Sequence, residues 1–337
     1  MKSWIKKKSI STGTTKETVK TSNRYIITKL FYSNSRVLSD FNSFMIMRNK
    51  GMKENEIMDC LMLKNKADDY FAVLFQKYEN LNNLMDSSSF YSFIYNLEAK
   101  RNSLLTVFLS KTSYPFFLLL FSIVCAYFFD RSIIPMLNES VLLFANNSES
   151  LFVYQNILKV FWISVLLVLL FVFITLLRLR SKSYLLKFYN NLYYLNSNNL
   201  LAFYFSNEFA KYYLSLLENG LSTNLIVESL IKQKANFVVS NLANDIKNSL
   251  NKGKKLTNVI EKINIELKLK QAFKIGEKTA ELQKILKDYI EISDILIKRK
   301  IEKISKIITY SIYFLVSLFI ALFYRLLMTP LSVIRSL

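Results

Sequence analysis

Three uncharged runs punctuate the chain, Thr112–Phe129, Val160–Leu177 and Ile307–Tyr324, each 18 residues long between flanking charges. That length is at the low end of what crosses the hydrocarbon layer as a helix, and Lys or Arg side chains at the ends extend it by reaching for the interface. The density of Phe and Leu in the first two favours spans over buried core helices. The third contains polar Thr309 and Ser311, but its length and Arg325 beyond it still favour a span. Elsewhere the apolar positions recur at helical spacing. Leu38, Phe41, Phe44, Met45 and Met47 make a broad face ahead of a turn at Asn49-Lys50-Gly51. A helix through Ile57, Met58 and Leu61 follows, then helical runs over Asp68–Met85 and Phe90–Leu109, separated by Ser87-Ser88-Ser89. Phe205, Phe209, Tyr212, Tyr213 and Leu216 share one face of a helix that Glu218-Asn219-Gly220 ends, and a second turn falls at Asn251-Lys252-Gly253. From Gln271 to Pro330 the pattern predicts a helix that leaves a soluble bundle and enters the membrane. Ile285, Tyr289, Ile292 and Leu296 form one stripe there, and between Gly276 and Pro330 there is no Gly or Pro to break it.

Only 5 Gly and 3 Pro in 337 residues argue against sheets and loop-rich folds, so the fold class is all-α. Hydrophobic residues at 52% with 21% charged residues describe soluble bundles alternating with spans. The predicted order is a basic tail (1–34), a first, shortened helical domain (35–111), span one (112–134), an external loop (135–157), span two (158–178), a second helical domain (179–306), span three (307–330) and a short external tail (331–337). The tail carries Lys6-Lys7-Lys8 with no apolar stretch behind them, which does not fit a signal peptide and suits contact with anionic headgroups.

The net charge of +20 is unevenly distributed. Residues 1–111 hold 18 Lys/Arg and 10 Asp/Glu, net +8; residues 178–306 hold 23 and 12, net +11; residues 130–159 hold 2 and 3, net −1. With spans between these segments, the bias follows the positive-inside rule rather than nucleic-acid binding. Both helical domains and the N-terminus are expected in the cytoplasm, and residues 130–159 and the C-terminus outside.

The chain has no histidine, which excludes His general bases, His-ligated metals and Ser-His-Asp triads. Its cysteines, Cys60 in a basic segment and Cys125 in a span, are not expected to pair. Lys252-Gly253-Lys254-Lys255 lacks the second glycine of a phosphate loop and has Leu256 where Ser or Thr should stand, so it is a helix-connecting turn. Glu277 and Glu281, one helical turn apart, have Lys274 and Lys278 beside them and belong to a salt-bridged surface rather than an acid/base or metal site. Gly276 is expected to permit a turn or close helix packing. Lys298-Arg299-Lys300, with Lys303 and Lys306, is expected to meet anionic headgroups, the alternative being a docking face for an acidic partner. No catalytic residue, cofactor or metal site is expected.

Aligning Gly51 with Gly220 superimposes Ile57 on Ile226, Leu61 on Leu230, Phe44 on Tyr213 and Met47 on Leu216. Tyr114-Pro115 opens the first span and Pro135 closes it, 21 residues after the tyrosine; Tyr310-Ser311 opens the third and Pro330 closes it, 20 residues after. The chain is thus read as a duplicated unit, a helical domain followed by a span, with span two returning the chain between copies.

These residues resemble the polytopic inner-membrane platform family of type II secretion and type IV pilus machines, with its competence-pseudopilus relatives. The family's early turn is matched by Gly220-Leu221 with Glu228 and more loosely by Gly51-Met52. Its middle turn is matched by Gly253 and Leu256, its "GE.sG.L" signature by Gly276, Glu277 and Leu282, and its span-opening "YP" by Tyr114-Pro115. The first domain departs from the signature at Asn96-Leu97-Glu98, and Ser311 replaces the second proline. The resemblance implies two homologous cytoplasmic helical domains, three spans and a non-enzymatic platform. It implies docking of a hexameric cytoplasmic assembly ATPase, contact with pilin-like subunits, other inner-membrane assembly proteins and lipids, and a homo-oligomer. A transporter or permease subunit is the alternative; charged residues within the spans would favour it, and these runs have none.

Overall fold

A computed structural model describes residues 34–53, 77–82, 84–136, 181–233 and 236–336, with scattered positions at 56–60 and 156–178. Among the described residues the fold is all helical, with no strand. The helices are α1 (Asn34–Asn49), α2 (Ser87–Phe128), α3 (Lys182–Leu195), α4 (Leu200–Glu218), α5 (Thr223–Ile231), α6 (Phe237–Leu250), α7 (Leu256–Ile260), α8 (Leu267–Thr279) and α9 (Leu282–Ser336). The chain divides into two compact units, one from Met1–Leu104 with Tyr189–Ile297 and one from Leu105–Phe188 with Lys298–Leu337. The segments read as first and second helical domains therefore contribute to the same unit.

In the first unit α4 is the central helix. Phe205, Phe209, Tyr212, Tyr213 and Leu216 are all buried, as their spacing predicts. Phe273 of α8 meets Tyr213 edge-on at 5.1 Å. The local sequence sets the helix ends. Asn199 and Asn236 cap α4 and α6 by accepting from the backbone N–H three residues on, satisfying donors that the first turn leaves bare. Gly51, Gly220 and Gly253 stop α1, α4 and α6 with φ of +86°, +76° and +72°, a region in which a side chain is strained.

Three predictions at the helix ends are corrected. Gln271–Pro330 is not one helix: Ala280, at φ +56°, ends α8 and α9 starts at Leu282. Neither proline ends its helix. Helix continues from α2 through a π-helical turn, Phe129–Ile133, to Met136, and α9 runs past Pro330 to Ser336. In the π turn Ile134 N–H bonds the Phe129 carbonyl, one residue further back than in an α-helix. The wider turn gives the Pro135 ring the room that an α-helix denies it. The α9 stripe is also rotated. Leu286, Tyr289, Ser293 and Ile297 are buried, whereas Ile292 is 53% exposed. Isoleucines stand on several sides of this helix, so spacing alone does not choose the buried one.

Among the described residues two helices are long and apolar enough to cross a membrane, Ser88–Met136 and Leu282–Arg325. Span two lies largely outside the described residues; within it Val160, Ile163, Leu166, Leu167 and Leu170 are helical and exposed. Residues 1–33, most of the helix expected through Ile57 and Asp68–Met85, and the loop at 137–155 also lie outside them. These two helices, α2 and α9, pair within the second unit. Lys111 forms an ion pair with Glu302 at 3.3 Å, and further along Ala126 and Ile134 pack with Phe319. Residue numbers rise together in both helices, so the two run parallel.

Candidate functional site

Helix α4 carries three consecutive buried polar residues, Ser206, Asn207 and Glu208, in an otherwise aromatic and aliphatic helix. Each ties α4 to a different segment. Ser206 Oγ accepts the backbone N–H of Glu266 at 2.8 Å. Asn207 Nδ2 donates to Asp294 Oδ1 of α9 at 2.7 Å. Glu208 takes both arms of the Arg101 guanidinium from α2, Nε at 3.2 Å and Nη2 at 2.5 Å, and also accepts from Asn236. A buried charge is costly unless paired and hydrogen-bonded, and the planar guanidinium meets that need with a two-pronged contact.

The pairing extends outward from both ends. Arg101 Nη1 also donates to Tyr78 and to Glu98, each at 3.1 Å, and Glu98 accepts from Lys77 at 2.8 Å and from Tyr78 at 2.9 Å. Burial alone would raise the Glu98 carboxyl, but Lys77 and Arg101 hold it below the usual value. Burial, with repulsion from Arg101, lowers the Lys77 ammonium despite Glu98. Lys100, next to Arg101 in α2, reaches Asp294 at 3.4 Å, and Lys211 of α4 meets the same carboxylate at 2.9 Å. Adjacent residues of α2 thus hold α9 and α4. A fourth carboxylate, Glu266, accepts from Tyr289 at 2.7 Å. Burial and that carboxylate push the phenol well up. Glu98, Glu208 and Asp294 each face a Lys or Arg within the unit, so the arrangement fixes helix positions.

The sequence-predicted residues fall into separate places. Gly51, Gly220 and Gly253 occupy exposed turns with nothing within 4 Å of an added Cβ. Leu256, half-buried, opens α7. The turns at Gly51 and Gly220 are built alike. Gly51 N–H bonds the Arg48 carbonyl and Met52 N–H that of Met47; Gly220 N–H bonds Leu217 and Leu221 N–H bonds Leu216. Ile57 and Ile226, in the helices that follow, are both fully buried.

The structure brings Gly276 and Leu282 together. A Cβ on Gly276 would lie 2.6 Å from Leu282 Cδ1 and 2.8 Å from its Cα, so the glycine lets the α8–α9 hairpin close. Glu277 is exposed on the outside of that hairpin. The surface pairs differ from those predicted: Lys274 meets Glu261 at 2.9 Å and Glu281 meets Lys284 at 3.8 Å. Cys60 and Cys125 are both free thiols. Lys298 and Arg299 are exposed on α9, with Lys300 half-buried beside them.

Tyr114 and Pro115 lie inside α2 rather than at its start. Proline has no N–H, so it leaves the carbonyl four residues earlier, that of Lys111, without its helical donor. Thr309 of α9 fills the gap, its hydroxyl donating to the Lys111 carbonyl at 3.4 Å. Near hydrocarbon, a freed backbone group is commonly satisfied this way, by a hydroxyl from a neighbouring helix. Thr309 is therefore the partner of Pro115.

Sequence reasoning missed Arg101, Glu208, Asp294 and Glu266. The available signal was the run Ser206-Asn207-Glu208 inside an apolar face, where a soluble helix would carry core residues. Among the described residues, no three His, Cys, Asp or Glu side chains gather as a metal site. In comparisons with known proteins, residues 209–330 match the family model described as type II secretion system (T2SS), protein F. A comparison with curated proteins gives no match.

Proposed function

We propose that this chain is the non-enzymatic inner-membrane platform of a type II secretion or type IV pilus machine, on the match of residues 209–330 to the model for protein F of the type II secretion system. In this reading it docks the cytoplasmic assembly ATPase through its basic helical unit and aids extraction and polymerisation of pilin-like subunits. The observation that carries the proposal is the domain match over residues 209–330.

The paired spans support it. Two parallel helices that both cross a membrane require the chain between them to cross back an odd number of times. The uncharged run Val160–Leu177, within the segment 158–178, supplies one return, giving three spans. Lys/Arg bias then puts the N-terminus and helical domains in the cytoplasm, and residues 135–157 and the C-terminus outside. The alike turns at Gly51 and Gly220, each followed by a buried isoleucine, support two homologous helical domains. Gly276, Glu277 and Leu282 serve as a structural hairpin, and a homo-oligomer is the assembly state this role suits.

The test is co-purification of the full-length protein, in mild detergent, with the secretion-type ATPase of the same cell. Retention of the ATPase on the wild type, and its loss when Lys252, Lys254, Lys255, Lys268 and Lys278 are changed to Gln, is the expected result. Failure of the intact protein to retain the ATPase would sink the docking role.

A further inference from the structure

On α9, at about 100° per residue, Arg299, Lys303 and Lys306 lie within roughly 60° of one another and span about 10 Å along the axis. All three are exposed, and so are Tyr310 and Phe314, which continue the same face into the uncharged run. This order, cations and then a phenol and a ring, is that of a lipid molecule read from headgroup to chain. An acidic protein would be met equally well by the cations, so the surroundings decide between the two. Because Thr309 bonds the Lys111 carbonyl and the helices run parallel, Leu105 and Leu109 of α2 stand at about the level of residues 303–307. Leu105 is 52% exposed and Leu109 61%. Large aliphatic side chains bare at the same height as a cationic band suit the boundary between headgroups and acyl chains, where lysines reach outward. They do not suit a face in water.

We propose that Arg299, Lys303 and Lys306 form a binding site for an anionic phospholipid, its phosphate on the cations and its chains along Tyr310 and Phe314. The site goes beyond the platform role and does not depend on it. It also answers the choice left open for this basic run, in favour of lipid.

The full-length protein in neutral detergent is titrated with phosphatidylglycerol or phosphatidylcholine, and retained lipid is counted by native mass spectrometry. Wild type is expected to retain phosphatidylglycerol preferentially. Arg299→Gln/Lys303→Gln/Lys306→Gln is expected to lose at least ~10-fold of that preference, at roughly tenfold or less per cation. Lys252→Gln/Lys254→Gln/Lys255→Gln, the same charge change on an exposed turn, is expected to keep it. Equal loss in both variants, or none in the first, overturns the site. Competition by millimolar inorganic phosphate, or by polyglutamate, against bound phosphatidylglycerol would reassign it to a free anion or an acidic protein and overturns it too. Independently, in a Cys60→Ser/Cys125→Ala background, Leu109→Cys in membranes is expected to resist a charged maleimide that labels Lys254→Cys. Equally fast labelling of the two would place the band in water and reject the proposal.

Discussion

Ala280 holds the left-handed conformation, at φ +56°, that glycines hold at the other helix ends. For a residue with a Cβ this costs about 1 kcal/mol. Ala280→Gly is therefore expected to raise the unfolding free energy by up to ~1 kcal/mol in thermal or chemical denaturation, and an unchanged or lowered value would contradict the strain. Gly276 presents the opposite case. Its missing Cβ is replaced by Leu282, including backbone, so Gly276→Ala is expected to cost roughly 1–3 kcal/mol by the same measurement. Single residues with local consequences were the most legible from sequence. Gly51, Gly220 and Gly253 announce their turns because nothing but the chain beside them decides the conformation. Ala280 was not legible, since alanine favours helix and only the contact between Gly276 and Leu282 forces the reversal.

At the scale of helices, legibility fell where tertiary partners choose among equivalent faces. Ile285, Ile290, Ile292, Ile295 and Ile297 spread around α9, and Tyr289 settles its orientation by bonding Glu266. Nothing near Arg101 or Asp294 in sequence marks either as buried, because Glu208, Lys100 and Lys211 lie far off in the chain. Arg101→Ala would leave Glu208 buried and unpaired and is expected to cost ~3–5 kcal/mol in thermal unfolding, whereas an exposed Lys252→Ala should change almost nothing. Acid should act on the same cluster. The Glu98 carboxyl is held low in the fold, so its contribution is complete above the unfolded value of about 4.3 and is lost as pH falls through the lower folded value. Glu98→Gln is expected to flatten that acid limb in a pH series of melting curves; an unaltered limb would show that Glu98 is not responsible. For α2 and α9, Thr309→Val should destabilise by about 0.5–2 kcal/mol with Pro115 present and have little effect in Pro115→Ala, where the new N–H serves the Lys111 carbonyl. Additive effects in that double-mutant cycle would disprove the pairing.

The whole molecule was readable in class, and the first and last uncharged runs lie in the two helices long and apolar enough to cross a membrane, because uncharged runs are composition, and composition survives ignorance of packing. That the two helical segments share one unit was not readable, because the bonds joining them, Arg101 to Glu208 and Lys100 to Asp294, cross long stretches of sequence. The proposed topology predicts that phosphatase fused after Leu337 or within 140–150 is active outside the cytoplasm and inactive after Met1; activity after Met1 would reverse the orientation. The Pro115 carbonyl gap also sets the steps by which α9 could travel along α2. Ser305 lies four residues before Thr309 on nearly the same side, so an axial advance of about one turn, ~5.4 Å, exchanges one hydroxyl for another at the Lys111 carbonyl, whereas a half-turn leaves that carbonyl bare. If α9 slides along α2, a proline in one helix and two hydroxyls in the other would favour two rest positions over a continuous range, the second requiring Ser305 to release the Ile301 carbonyl.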